Sequence, residues 1–169
     1  MMRILLLSDT HSYIDDKILD YAKHADEVWH AGDIGDLKVT DAIAQHTKLR
    51  AVYGNIDSHD IRSCFLLHQH FNIDKLKVWI THIGGYPNRY NPNIKKELEQ
   101  DPPDLFICGH SHILKVVPDK KLNLLHMNPG AIGKHGFHLK RTMLRFEINT
   151  SKIENLEVID FGKRGVKTK

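Results

Sequence analysis

Short apolar runs, each broken by a burst of Asp, His, Asn and Gly, recur along the first two thirds of the chain. Residues 2–7 form the first run and read as a buried strand. Residues 16–24 place Ile18, Leu19, Tyr21 and Ala22 at helical spacing, and residues 27–31 form a second strand ended by Gly32. Residues 37–46 carry Leu37, Val39, Ala42, Ile43 and Ala44 and predict a second helix; residues 49–53 predict a third strand ended by Gly54. This β-α-β-α-β order is the mark of a parallel sheet with helices packed on it.

The pattern then changes. Residues 64–71 and 76–81 are two extended runs joined by Asn72-Ile73-Asp74-Lys75, a predicted hairpin. Residues 91–100 predict a short helix stopped by Asp101-Pro102-Pro103, and residues 104–108 another buried strand ended by Gly109. Strands follow at 113–117, 122–127, 142–148 and 153–161, the last two alternating about Asn149-Thr150-Ser151. A parallel first half and an antiparallel second half point to two sheets packed together and flanked by helices.

At 169 residues the chain is about one domain in length, with a basic tail at 163–169 that is expected to be solvated. A hydrophobic fraction of 41% and a charged fraction of 27% exclude a disordered chain. The net charge of +3 is too mild to be a strong nucleic-acid signal. Cys64 and Cys108 both lie in apolar runs and are expected to be buried free thiols. The N-terminal apolar run is too short for a leader or a membrane span, so the expected location is cytoplasmic. The distinctive number is 13 His.

Position makes that number useful. Successive apolar strands end in Ser8-Asp9-Thr10-His11, Gly32-Asp33-Ile34-Gly35-Asp36, Gly54-Asn55-Ile56-Asp57, Thr81-His82-Ile83-Gly84-Gly85 and Gly109-His110-Ser111-His112. Ligands of open α/β sheets bind outside the carboxyl ends of the strands, so these segments are expected to converge on one edge. Asp9, His11, Asp33, Asn55, His82, His110 and His112 are candidate metal ligands. Carboxylate, imidazole and amide donors without a thiolate suit Mn, Fe or Zn. Seven protein ligands exceed what one ion with an open position takes, and they suit two ions sharing a carboxylate.

Asp9-x-His11, Gly32-Asp33-x-x-Asp36, Gly54-Asn55, His82 and Gly109-His110-x-His112, in this order and spacing, resemble the calcineurin-like metallophosphoesterase superfamily. The short length and Asn128-Pro129-Gly130 resemble its small single-domain phosphodiesterase branch, to which the retromer scaffold subunit of eukaryotes also belongs. The resemblance implies an α/β fold: a four-layer α-β-β-α sandwich with two packed mixed sheets, filling residues 1–162. It implies two divalent ions, manganese first, with nickel, zinc, iron or magnesium as alternatives. Asp9, His11 and His112 would hold one ion, Asn55, His82 and His110 the other, and Asp33 would bridge. A hydroxide bridging the ions would attack a small phosphodiester substrate. Asp36 resembles a residue that orients a ligand imidazole from behind.

The sequence departs from the family at Ile56, where many members carry a His that assists the leaving group. Asp57, His59 and His135 are the nearest replacements in sequence, and Asp57 is counted with Asp33 and Asn55 as catalytic. Gly130, Gly133, Lys134 and Arg141 are candidates to assist at phosphate, and His135 and His138 to touch substrate. Of the remaining histidines, His68 and His70 are read as a solvent-exposed edge and His24 and His46 as helix ends. His30 reads either as support for a ligand or as a core residue, and His126 is equally open. Trp29 and Trp79 are read as core. The functional expectation is a dinuclear phosphodiesterase, with a homo-oligomer left open, and two rivals: a catalytically idle scaffold of the same fold and a nuclease. No membrane partner is expected.

Overall fold

β1 (Met2–Leu7) sorts its side chains between two apolar layers, as the twofold repeat of a strand requires. Ile4 and Leu6 face a cluster with Val78, Ile80, Ile107 and Met127, whereas Leu5 and Leu7 face Ile18, Ala22, Val39 and Ile43. A strand with two apolar faces must lie between layers, and β1 is the centre of the molecule. The structure is a computed structural model and describes residues 1–165.

After β1 come α1 (Asp16–Lys23), β2 (Glu27–His30), α2 (Leu37–Ala44) and β3 (Lys48–Ala51), with β1, β2 and β3 parallel, as the sequence pattern predicts. Asp15 caps α1, its carboxylate accepting from the Ile18 amide, and buries Ile18 and Ala22 behind the sheet. The hairpin is present as β4 (His68–Ile73) and β5 (Leu76–Thr81). Then follow the small hairpin β6 (Gly85–Tyr86) and β7 (Arg89–Tyr90), α4 (Pro92–Gln100), β8 (Leu105–Ile107), β9 (Leu114–Asp119), β10 (Leu124–Pro129), β11 (Lys140–Asn149) and β12 (Lys152–Lys163).

Two five-stranded mixed sheets result, ordered β12-β11-β1-β2-β3 and β4-β5-β8-β10-β9. The cluster containing Ile4, Leu6, Val78 and Ile107 fills the space between them. α1 and α2 cover the outer face of the first sheet, and α4 covers the outer face of the second through Ile94 and Leu98 against Trp79 and Phe106. This is the four-layer α-β-β-α sandwich. Each fully buried Leu or Ile adds about 1.5–3 kcal/mol.

Three expectations need correction. The division into a parallel first half and an antiparallel second half does not hold: β5, β8 and β10 run parallel in the second sheet, and β11 returns to pair antiparallel with β1 in the first, with β12 antiparallel on its outer side. The run at 64–71 is not one strand, because its start is the last turn of a helix, α3 (His59–Cys64), capped by Ser58. Cys64 therefore lies exposed, whereas Cys108 is buried. The C-terminal segment also enters the fold before it ends. Lys163 pairs with Lys140 in β12, and the Arg164 guanidinium donates to the carbonyls of His138 and Lys134. Residues 166–169 of the expected tail lie outside the described residues. Among the described residues, no helix is long and apolar enough to cross a membrane.

Candidate metal centre

β1, β2, β3, β5 and β8 point their carboxyl ends to one edge, and the main chain knits the loops that follow. The Asp9 amide donates to Gly32 O (3.0 Å), the His11 amide to Asp33 O (3.0 Å) and the Gly109 amide to His82 O (3.0 Å). The loops pass close beneath the carboxylates. A Cβ on Gly54 would lie 2.0 Å from Asp33 Oδ1, and one on Gly109 2.9 Å from Asp9 Oδ2, so both positions exclude a side chain. Five of the seven candidate ligands hold left-handed backbone: Asp9 (φ 55°), His11 (45°), Asp33 (55°), His110 (69°) and His112 (59°). Such conformations cost roughly 1–3 kcal/mol each in residues other than glycine and cluster at functional sites.

Two groups of donor atoms result, each with its atoms within 4.8 Å of one another: Asp9, His11 and His112, and Asp33, His82 and His110. His112 Nε2 lies 3.1 Å from Asp9 Oδ1, and His82 Nε2 lies 3.1 Å from Asp33 Oδ1. Asp33 also faces the first group, its Oδ2 lying 3.6 Å from His11 Nε2. Asn55 lines the same cleft beside Asp33 and His110.

A test of whether metal ions fit is the state of the buried polar atoms. Among the described residues, six buried side-chain atoms lack a hydrogen-bond partner; Trp79 Nε1, His126 Nδ1 and Arg141 Nη2 are scattered, whereas Asp9 Oδ1, His11 Nε2 and His82 Nε2 all belong to the candidate ligands. Buried polar groups are otherwise almost always paired, so three orphans converging on one spot fit cation binding. The tautomers agree. His82 Nδ1 donates to the Ala31 carbonyl (2.7 Å), which can only accept, so a neutral ring presents Nε2 as a lone pair. His138 Nε2 donates to the Gly133 carbonyl (2.9 Å), so its Nδ1 accepts from His112 Nδ1 (3.1 Å) and leaves His112 Nε2 unprotonated toward Asp9. Burial pushes the pKa of His11 and His110 down despite the nearby carboxylates, favouring neutral rings. Burial opposes ionisation of Asp33, but His82, the Ile56 amide and His11 outweigh it and hold its pKa below the usual carboxylate value. Burial also disfavours charge on His82, yet Asp33 and Asp9 together raise its pKa.

Other expected site residues lie elsewhere. Asp36 is the exposed cap of α2, accepting from the Lys38 amide and pairing with its ammonium, and reaches no imidazole. The Asp57 carboxylate is buried and accepts from the amides of Ile34 (3.1 Å), Gly35 (2.7 Å) and Gly54 (2.7 Å), which makes it a clamp between loops rather than a proton donor. The Gly130 amide is spent on Asn128 Oδ1, and that of Gly133 on the Asp9 carbonyl. Arg141 is buried against Tyr13 and donates to Ile132 O, and Lys134 sits over the Tyr13 ring. His135 does stand at the cleft, exposed, its ring 5.2 Å from that of His11. His30 is a core residue held between the Gly32 amide and Thr10 Oγ1. Burial pushes the Cys108 thiol up to about 12, so it offers no thiolate.

Two residues steady the site in roles the sequence reading does not give them: His138, expected to touch substrate but buried behind His112, and Arg62, not singled out. His138 supports His112 across 26 positions, and only its place in a histidine-rich loop signals it. Arg62 donates to the carbonyls of Asn55 and Asp57 and fixes the loop bearing Asn55.

Residues 2–151 match the family model described as the calcineurin-like phosphoesterase superfamily domain. A probable metallophosphoesterase of Methanocaldococcus jannaschii is 26% identical over 136 residues, covering 77% of this chain and 68% of that protein. Among solved structures, an archaeal phosphodiesterase superposes with a TM-score of 0.71 at 21% identity, covering 95% of this chain and 100% of that one. The zinc complex of Vps29 from Entamoeba histolytica superposes with a TM-score of 0.72 at 18% identity, with the same coverage. Fold, strand-end motifs and family model agree: the chain belongs to the calcineurin-like phosphoesterase superfamily.

Proposed function

We propose that the chain hydrolyses a small phosphodiester with two divalent metal ions, manganese first among them. The observation that carries this reading is the convergence of the buried, unpartnered Asp9 Oδ1, His11 Nε2 and His82 Nε2 on two adjoining donor groups. Asp9, His11 and His112 would hold one ion, and His82, His110 and Asn55 the other, with Asp33 between them. When bound, such ions would neutralise phosphoryl oxygens and lower the pKa of a nearby water to about 7.

The chain's own groups do the rest. Asp33 remains ionised and faces both imidazole sets. Ala31 and His138 lock the rings of His82 and His112 so that no reorientation is needed during turnover. Ile56 offers its amide to Asp33 Oδ1 (3.2 Å) but has no proton to give a leaving group. His135 is the group placed to do so, since Asp57 is occupied by three amides. Rates across aryl phosphodiesters should fall more steeply with rising leaving-group pKa in His135→Ala than in the parent protein.

The scaffold reading draws its support from Ile56 and from the likeness to Vps29. One experiment separates the two: metal-stripped protein is assayed on bis-p-nitrophenyl phosphate with Mn²⁺, Ni²⁺, Zn²⁺ or Mg²⁺ added singly, beside Asp33→Ala. Metal-dependent hydrolysis abolished by Asp33→Ala is expected. Failure to hydrolyse with every ion would sink the enzyme reading.

A further inference from the structure

The loop from Lys134 to Lys140 stands at the lip of the metal cleft and turns its apolar side chains outward. Phe137 is 100% exposed, Leu139 83%, and Ile113, at the same lip, 58%. The chain fixes this arrangement. His138, between Phe137 and Leu139, takes the inward place, with Nε2 on the Gly133 carbonyl and Nδ1 on His112. Gly136 (φ 128°) lies so close beneath that a Cβ there would strike the His112 ring. The Arg164 guanidinium closes the loop by donating to the carbonyls of Lys134 (3.2 Å) and His138 (3.0 Å). Phe137 is thus held out by a built loop, and grouped, exposed apolar side chains mark a surface that something covers. The charge around them has one sign. Residues 109–117 and 130–142 contain no Asp or Glu. Lys115, Lys134 and Lys140 are exposed there, and Lys163 lies beside Lys140 across β11 and β12. Among the described residues, the one carboxylate paired with these four lysines is Asp160, on Lys140 (2.7 Å).

We propose that this loop docks the protein on an anionic lipid surface, with Phe137 and Leu139 entering the headgroup boundary and Lys134, Lys140 and Lys163 facing lipid phosphates. Interfacial binding grows with the apolar area buried and with the attraction of basic side chains to anionic lipid, and one lip of this molecule carries both. A second copy of the chain fits less well, because twofold pairing through the loop sets its lysines against the same lysines. A bound peptide also fits less well: a phenyl ring that nothing in its own chain covers stands proud and offers no groove. Among the described residues no helix could cross a bilayer, which bears on spanning a membrane and not on lying against one. The inference goes beyond the phosphodiesterase reading and stands without it. Where both hold, the shared lip sets the metal cleft against a layer of phosphodiester headgroups.

The test is sedimentation of the full chain with vesicles of phosphatidylglycerol and phosphatidylcholine in equal parts, beside vesicles of phosphatidylcholine alone. Binding to the mixed vesicles should be at least about tenfold tighter than to the neutral ones and should weaken as salt is added. The double variant Phe137→Ser with Leu139→Ser should lose at least about tenfold in affinity for the mixed vesicles. Lys134→Gln should lose about fivefold. All three positions are exposed, so both variants should keep the parent's thermal midpoint, which reports an intact fold. Phe137→Trp preserves the apolar tip and reads insertion directly: its emission should move to the blue with mixed vesicles, over a constant background from the buried Trp29 and Trp79. Failure to bind the mixed vesicles, undiminished binding by the double serine variant, or Phe137→Trp emission that lipid leaves in place would each overturn the proposal. A lipid-free dimer that the double serine variant abolishes would assign the loop to a second copy and overturn it as well.

Discussion

The two donor groups differ in what stands behind them. In the Asp33, His82 and His110 group, the most buried imidazole leans on main chain, with His82 Nδ1 on the Ala31 carbonyl. In the Asp9, His11 and His112 group, the Asp9 carboxylate takes the His110 amide, but the imidazole support comes from a side chain: His112 rests on His138, and Thr10, between Asp9 and His11, rests on His30. A carbonyl cannot be mutated away, but an imidazole can. One side of the centre is therefore fixed by the fold, and the other is adjustable by substitution at positions that touch no ion.

The comparison can be attacked in descending order of effect. Asp57 fastens the Asp33 loop to the Asn55 loop, both on the side fixed by the fold, so Asp57→Ala should loosen that side. Three amides lose a charged acceptor, and unfolding free energy should drop by about 4 kcal/mol in a urea titration. A loss below 1 kcal/mol would show that the clamp is dispensable. Next is acid. Burial pushes the His30 pKa down to about 4, whereas the unfolded chain titrates near 6.5. The unfolded state thus takes up a proton first, and stability that is complete above pH 6.5 is lost as the pH falls toward 4. The difference is about 3 kcal/mol between those limits. Unfolding at pH 7.0 and 4.5 should show a shallower decline in His30→Asn than in the parent; parallel declines would remove His30 from the account.

His138→Ala addresses the adjustable side directly. Loss of a group that orients a ligand imidazole should weaken one of two metal-binding steps by roughly 10–100-fold in calorimetry and spare the other. His138→Gln, which retains an acceptor for His112 and a donor for Gly133, should recover much of it. Equal weakening of both steps would mean the two sides are not separable. The smallest effect belongs to Asp36→Ala: a slight fall in thermal midpoint from the lost cap of α2, with both metal affinities unchanged. A tenfold loss in either affinity would restore the role the sequence suggests for Asp36.

What was legible follows from how parallel strands are buried. A strand apolar on both faces leaves its polar residues nowhere but its ends, so Asp9, Asp33, Asn55, His82 and His110 stand out as punctuation. Sheet partners leave no such trace, because β11 and β12 alternate as well for one sheet as for the other, and pairing with β1 is settled by packing across the whole molecule. Asp57 invited misreading for a related reason: two of its three amide partners lie on the Asp33 loop, 22 and 23 residues away. The 64–71 run misled because a helix of six residues can end inside an apolar stretch without disturbing its composition.

The left-handed backbone at positions 9, 11, 33, 110 and 112 has a consequence for redesign. Aspartate and histidine are among the few side chains enriched there, and they are also what a hard or borderline cation asks for. Backbone and chemistry draw on the same short alphabet. An engineer who optimised this chain for folding alone would write glycine or asparagine at all five positions, gain stability, and erase the centre without altering the trace of the main chain.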